Sequence, residues 1–489
     1  MNDPVELILG IFEKVNTIPR CSKKEQRISD WLVAWARDHG LKSEQDEKLN
    51  VRIDVPGSGQ AADGPIVVLQ GHMDMVCEKT PTSAHDFSRD AIPLVHSGDW
   101  LKAKDTTLGA DNGIAIALAL GVVESGIPHP PLEILVTVDE ETGLTGAQSL
   151  SDTFVTGRQL INLDSEDEGK LTIGCAGGRD TLLSLPISRA PGDGRSQYRL
   201  VVAGLEGGHS GVDIHLGRAN ANVLLARTLA GIAAEAQIDL FSVTGGSAHN
   251  AIPRDASAVI GVAPEDLDSV KKIVTASAES LRRTYSATDP RLDLTLEPEH
   301  RVAAEPGEMP IEPMTPRSRD TVIALLTELP HGVVRMSADV EGLVETSVNL
   351  ATVKSTADAV KINTSQRSSY AARLDEIAQR VIDIARSHGA SHEAVASYPP
   401  WEPDVNSSLL TRCVTTYLKL FGREPDVELV HAGLECGVIG SKYPGMEMVS
   451  MGPTVKNPHS PDEALFVPSL ARLWEFFVAL LASFGEPAA

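Results

Sequence analysis

The 489-residue chain is short of positive charge, of clustered cysteine and of long apolar runs, and each shortage removes a class of function. Its 43 lysines and arginines stand against 67 acidic residues, leaving a net charge of -24. A partner with a phosphate backbone needs a basic face, so nucleic acid is not an expected partner. The acid excess by itself requires nothing beyond solubility. The five cysteines, Cys21, Cys77, Cys175, Cys413 and Cys436, are odd in number, scattered, and form no CxxC pair. Neither a disulfide scaffold nor a thiolate zinc knuckle is expected from them. Cys175 has no basic neighbour to stabilise a thiolate and reads as a small buried residue. No segment is apolar over the length of a bilayer span, and the N-terminus lacks a basic stretch leading into an apolar one. No membrane partner is expected, and a reducing cytoplasm is the expected location. Gly57-Ser58-Gly59 lacks the strand-turn-helix setting of a phosphate loop and reads as a plain turn.

What is present is ample core material, 42% hydrophobic, in a chain long enough for about two to four domains. Ile66 to Leu69 is an apolar, largely β-branched run after Gly64-Pro65, which predicts a buried strand. It delivers Gly71-His72-Met73-Asp74. In extended chain, residues i and i+2 face the same way, so Asp74 can sit beside the His72 ring. Ser22 and Glu25 match a capping box ahead of a helix that should stop at His39-Gly40. Ile114 to Val123 is apolar on nearly every side and predicts a buried helix. Leu132 to Val138 predicts a strand ending on Asp139-Glu140-Glu141, and Leu160 to Leu163 a strand ending on Asp164. Strands and helices alternate, which argues for an α/β sheet covered on both faces. In such sheets functional groups lie beyond the strands' carboxyl ends, where His72, Asp74, Glu140, Glu141 and Asp164 all fall.

Near Pro186 the character changes, and it returns to the first pattern after Ser397-Tyr398-Pro399. The expected organisation is a catalytic α/β domain in two parts, 1–186 and 396–489, interrupted by an α+β lid domain, 187–395. Within the insert a strand and helix order recurs, suggesting a loose internal duplication joined by the Pro- and Glu-rich stretch 297–317.

His72, Asp111, Glu141, Asp164 and His459 form a five-residue set of imidazole and carboxylate donors. Such donors without thiolate suit zinc, manganese or cobalt. Five are too many for one catalytic ion and suit two that share a carboxylate, about 3.5–4 Å apart. The chemistry also needs a carboxylate that is not a ligand, to move the water's proton. Glu140 and Glu141 are adjacent, so one can coordinate while the other stays free.

Gly71-His72-Met73-Asp74, Gly109-Ala110-Asp111-Asn112-Gly113, Asp139-Glu140-Glu141-Thr142-Gly143, Asn162-Leu163-Asp164, Gly207-Gly208-His209-Ser210-Gly211 and Pro458-His459-Ser460-Pro461 occur in that order. On these motifs the chain resembles the aminoacyl-histidine dipeptidases, also known as peptidase D, cytosol non-specific dipeptidases or bacterial carnosinases. The resemblance runs over nearly the whole chain, and His431-Ala432-Gly433-Leu434-Glu435 and Asn250-Ala251-Ile252-Pro253-Arg254 are close to that branch. It implies a mixed-sheet zinc-peptidase catalytic domain with a lid, and two Zn2+ ions for which Co2+ or Mn2+ can substitute. Asp111 would bridge the metals, with His72 and Asp164 on one and Glu141 and His459 on the other. Asp74 would orient His72, Glu140 would be the general base, and His209 would stabilise the oxyanion. Asn250, Arg254 and Arg367 would hold substrate, while His431 and Glu435 either line the pocket or pack a loop. Relatives also imply a cis peptide between Asp111 and Asn112, a homodimer, and proteolysis limited to small unblocked dipeptides, Xaa-His such as β-alanyl-histidine included. Two other functions share these residues. An N-acyl amino acid deacylase or aminoacylase could use the same metal set, and a binding protein could use the same fold, although it would not need Glu140.

Overall fold

In the computed structural model, which describes residues 3–299, 312–338, 340 and 342–486, three of the apolar runs lie side by side as parallel strands. Val67–His72 is central, flanked by Leu132–Thr137 and Gln159–Asn162, and nearly every residue of the three is buried. Strands buried on both faces read as continuous apolar runs rather than as alternation. The three belong to an eight-stranded mixed sheet. Its order is Lys42–Gln45, Val51–Val55, Leu132–Thr137, Val67–His72, Gln159–Asn162, Glu447–Ser450, Lys170–Cys175, Asp426–Val430. The α/β expectation is met, with antiparallel pairs toward the edges.

The helix Ala110–Ser125 is buried continuously from Asn112 to Val122, which is why its sequence is apolar all round. Pro4–Asn16 and the strand Val67–His72 pack against it. The helix Gln26–Asp38 does not start as predicted. No side-chain cap bond forms at Glu25, whose Oε1 instead accepts the Lys23 and Asp139 N–H groups. Ser22 Oγ donates to Asp74 Oδ2, 52 residues away, because a buried carboxylate outcompetes a local cap. The cysteine reading is also corrected. Cys21 and Cys77 are joined by a disulfide, their backbones brought together by a bridge between Cys21 and Met75 that spacing alone does not reveal.

The chain divides into two units. The first is Met1–Cys175, Trp401–Leu429 and Leu434–Ala489; the second is Ala176–Pro400 and Val430–Gly433. The second is built on a nine-stranded antiparallel sheet. Its main path runs Asp293–Pro298, Ser196–Ala203, Ala256–Val262, Ile238–Gly245, Val344–Ser355, Ala359–Ser368, Gly177–Pro186, Ser391–Tyr398, and Gly332–Met336 pairs on Val344–Ser355. Leu200, Ile260 and Val348 of the sheet share its core with Leu229 of the helix Ala221–Glu235. Both halves of the expected duplication supply strands to this one sheet. The sequence places the junctions at 186/187 and 395/396, but Gly177–Pro186 and Ser391–Tyr398 pair with each other inside this sheet and go with the second unit. Of the expected joint, residues 300–311 lie outside the described residues; beyond them Thr315 caps the helix Pro316–Glu328.

Candidate active site

In register, His72 faces Thr137 and Gln70 faces Asn162, so the three central strands finish nearly level and the residues just beyond them share one rim. The His72 ring is buried, with Nδ1 3.2 Å from Asp74 Oδ1 and 3.1 Å from the Asp74 carbonyl oxygen. Nδ1 donates there, which leaves Nε2 as the nitrogen free to ligate. Nε2 lies 3.1 Å from Asp111 Oδ1 and 3.5 Å from Asp164 Oδ1. Asp74 also accepts from Ser22 Oγ at 2.8 Å and from the N–H groups of Glu140 and Glu141 at 3.1 and 3.3 Å. Burial works to raise this carboxyl, but His72 and those donors bring it below the ordinary carboxylate range.

The second Asp111 oxygen points elsewhere. Oδ2 is 3.0 Å from His459 Nε2, which is 2.9 Å from Glu141 Oε2. Asp111 therefore divides its two oxygens between two histidines, each of which meets a further carboxylate. The ligand atoms of His72, Asp111 and Glu141 lie within 4.8 Å of one another. Glu141 Oε1 is buried and has no hydrogen-bond partner among the described residues. His459 holds φ at 58°, a left-handed backbone unusual outside glycine, so its ring orientation is kept at the expense of backbone strain. The Asp111–Asn112 peptide is cis, as expected.

The electrostatics of this set match a bound cation. Burial works to lower His72, yet Asp164, Asp111 and Asp74 raise it well above the usual imidazole value. Hydrogen bonds to Asp111 and Glu141 lift His459 to about 11. Four carboxylates thus draw protons onto the two rings, and divalent ions among them would supply the same positive charge with both rings neutral. The orphaned Glu141 oxygen and the divided Asp111 carboxylate fit that occupancy.

Asn112 secures the arrangement from below. Its Oδ1 accepts the His72 N–H at 3.1 Å and its Nδ2 donates to the Leu163 carbonyl at 3.0 Å, tying two strand ends together. Gly71 is required for this approach, since a Cβ there would come 2.4 Å from Asn112 Oδ1 and 2.6 Å from Ala115 Cβ. Glu140 follows Asp139, which takes a positive φ of 50° in the strand-end turn. Burial raises the Glu140 carboxyl well above its ordinary value, against the opposing pull of His72 and with help from Asp164 and Glu435.

Glu435 opens the helix Glu435–Lys442. It is buried, with Oε2 accepting from Gln70 Nε2 and Thr137 Oγ1, both at 2.6 Å. Its Oε1 has no partner among the described residues, and burial raises the carboxyl to about 8.

The remaining candidates belong to the second unit. His209 pairs with Ala251 in a short two-stranded ribbon, and Ser210 N–H donates to the Asn250 carbonyl at 2.8 Å. The Gly211 and Val212 N–H groups donate to His209 Nδ1 at 3.3 and 3.0 Å, so the proton of the neutral ring sits on Nε2. Burial, with Arg367 nearby, keeps this ring below the ordinary imidazole value. Gly211 is the common neighbour: a Cβ there would come 2.1 Å from the His431 carbonyl oxygen and 3.2 Å from both Arg367 Nε and His209 Cε1. Arg367 Nη1 donates to Tyr398 Oη at 2.6 Å, and His431 Nε2 lies 2.8 Å from Ser347 Oγ. Arg367 Nε and His431 Nδ1 are buried without partners among the described residues. Arg254 Nε donates to the Leu205 carbonyl at 3.2 Å, and Asn250 is exposed. The sequence reading missed Ser22, Asn112, Gln70 and Thr137. Of these only Asn112 had a signal, its place within the Asp111 motif.

The family described as peptidase dimerisation domain matches residues 202–289. The cytosol non-specific dipeptidase of Escherichia coli (strain K12) is 40% identical over 473 residues, covering 96% of each chain. The crystal structure of aminoacylhistidine dipeptidase from Vibrio alginolyticus superposes with a TM-score of 0.90 at 36% identity, covering 99% of this chain and 98% of that one. The aminopeptidase PepT of Bacillus cereus, at 16% identity and a TM-score of 0.56, shares the fold.

Proposed function

The chain belongs to the family of cytosol non-specific and aminoacylhistidine dipeptidases, and from that premise we propose how its residues divide the work of hydrolysis. It is a metal-dependent peptidase that cleaves dipeptides. The observation that carries the division is the Asp111 carboxylate, with Oδ1 beside His72 and Oδ2 beside His459. His72 and Asp164 would hold one ion, His459 and Glu141 a second, and Asp111 both. Two Zn2+, replaceable by Co2+ or Mn2+, suit imidazole and carboxylate donors with no thiolate. When bound, such a pair polarises the scissile carbonyl and lowers the pKa of water toward about 7.

Asp74 fixes the tautomer and tilt of His72 through Nδ1. Glu140 takes the proton of the attacking water and returns it to the amide nitrogen, so that the C–N bond breaks with a neutral amine leaving. A carboxyl raised by burial suits a group that must both accept and give that proton. His209 carries its proton on Nε2 and donates it in a hydrogen bond to the developing oxyanion. Asn250, Arg254, Arg367 and His431 receive the substrate's carboxylate and backbone polar groups. Arginine suits a carboxylate because its planar fork makes two parallel hydrogen bonds. Glu435 lines the substrate pocket, its Oε2 held by Gln70 and Thr137 and its Oε1 left for a substrate polar group.

Substrates are small unblocked dipeptides, Xaa-His such as β-alanyl-histidine among them. The protein acts in the cytoplasm as a homodimer assembled through 202–289, without nucleic acid or membrane. No helix among the described residues is long and apolar enough to cross a membrane. The test is kcat/KM for a dipeptide, its C-terminal amide, its N-acetyl form and the matching tripeptide. The free dipeptide should be preferred over all three. Preference for the N-acetyl compound would instead make this site a deacylase.

A further inference from the structure

Asp111 can serve two ions only if its carboxylate stays between His72 and His459, and its own side-chain contacts do not explain what holds it there. The backbone before it is wrapped around one carboxylate. Glu463 Oε2 accepts the N–H groups of Leu108 and Gly109 at 2.7 and 2.9 Å, and Oε1 accepts those of Ala110 and Asp111 at 2.8 and 3.2 Å. Glu463 is 2% exposed. Two of these four consecutive donors, Ala110 and Asp111, are first-turn N–H groups of the helix Ala110–Ser125, which lack intrahelical partners.

The backbone of the same residue acts on the other loop. Glu463 N–H donates to the Ser460 carbonyl at 3.0 Å, closing the turn that follows His459. On the carbonyl side of the Gly109 segment stands Arg20, 1% exposed. It donates through Nη2 to the Gly109 oxygen at 2.6 Å and through Nη1 to the Asp74 oxygen at 3.1 Å. The loop bearing Asp111 is thus held on its N–H side by the Glu463 carboxylate, whose backbone closes the turn after His459, and on its carbonyl side by Arg20, which also holds the Asp74 carbonyl.

We propose that Glu463, braced by Arg20, is a positioning residue that holds the Asp111 carboxylate between the two histidines and so sets the affinity for the second metal ion. Glu463 is not itself a ligand, because both oxygens of its carboxylate are occupied in accepting backbone N–H groups. The proposal rests on the reading of Asp111 as the shared ligand.

The test titrates metal-free wild type, Glu463→Gln and Glu463→Asp with Co2+, following absorption and calorimetry. Hydrogen exchange of residues 108–111 is read on the metal-free proteins. In Glu463→Gln an amide NH2 faces N–H donors, so these amides should exchange faster. The first Co2+ should bind within a few-fold of wild type, and the second about 10–100-fold more weakly. At saturating metal, kcat on a dipeptide should fall while KM stays within a few-fold. Glu463→Asp keeps the charge but is one methylene shorter and should fall between. A Glu463→Gln protein that binds both ions with wild-type affinity overturns the proposal, whatever its melting temperature. A wild type that binds a single Co2+ overturns instead the shared-ligand reading. If Glu463→Gln does not fold, Glu463→Asp is held to the same outcomes.

Discussion

Replacing Asp74 with asparagine changes one buried oxygen to an NH2 and leaves the shape of the side chain intact. Asp74 accepts four hydrogen bonds, two at each oxygen: His72 Nδ1 and Glu140 N–H at Oδ1, Ser22 Oγ and Glu141 N–H at Oδ2. The new amide is best placed with its oxygen at the first position. Ser22 can then turn its hydroxyl to accept, whereas the Glu141 N–H faces an N–H and loses its partner. An orphaned buried donor costs about 1–3 kcal/mol, and the charge that kept His72 basic is gone as well. Because Glu141 is a proposed ligand and His72 another, the loss should reach the metals. The expected fall in kcat/KM or metal affinity is about 10–100-fold, or roughly 1.4–2.7 kcal/mol. Asp74→Ala orphans all four donors and should be worse. Steady-state kinetics at saturating metal, with metal content after dialysis, give both numbers. Full activity in Asp74→Asn, or Asp74→Ala milder than Asp74→Asn, would refute this account of how His72 is held.

Gly71→Ala should be destabilising by about 1–3 kcal/mol and should weaken metal binding, because its Cβ needs the space of Asn112 Oδ1; a melting temperature and Co2+ titration equal to wild type would remove Asn112 from the account. His209→Ala should lower kcat far more than it changes metal content, since a contact to the oxyanion is made mainly in the transition state; unchanged kcat would leave His209 a turn residue. His331 gives a pH dependence. Burial, with Arg227, lowers it to about 4, and Asn220 Nδ2 at 3.2 Å from Nδ1 fits a neutral ring. The unfolded chain binds that proton more readily, so stability should fall as pH drops from about 6.5 to about 4, by up to about 3 kcal/mol. His331→Gln should blunt that acid loss of melting temperature and leave it unchanged above neutral; an identical pH profile would contradict the assignment.

Three of the five metal-ligand candidates were legible in the sequence because they follow strands whose apolar runs mark them and whose ends coincide in register. His72, Glu141 and Asp164 are placed by Val67–His72, Leu132–Thr137 and Gln159–Asn162 in that way. The helix behind them was legible from its apolar content on every side. What was not legible depends on partners distant in sequence. Ser22 matched a local capping pattern but was taken by Asp74. The disulfide between Cys21 and Cys77 hides behind an irregular spacing. The glycine-rich stretch 174–178 carries no strand signal, yet it joins two strands, Lys170–Cys175 and Gly177–Pro186. Its glycines are spent on close approach, as where a Cβ at Gly177 would come 2.5 Å from Pro400 N.

The division of labour between adjacent glutamates is tested most directly by metal content measured beside turnover in Glu140→Gln and Glu141→Gln. Glu140→Gln should retain two ions per chain and lose turnover, because the proton acceptor is gone while every proposed ligand remains. Glu141→Gln should lose one ion, since the His459 side of the cluster keeps only Asp111 as a charged partner. Two ions and active turnover in both variants, or loss of metal from Glu140→Gln, would contradict the account.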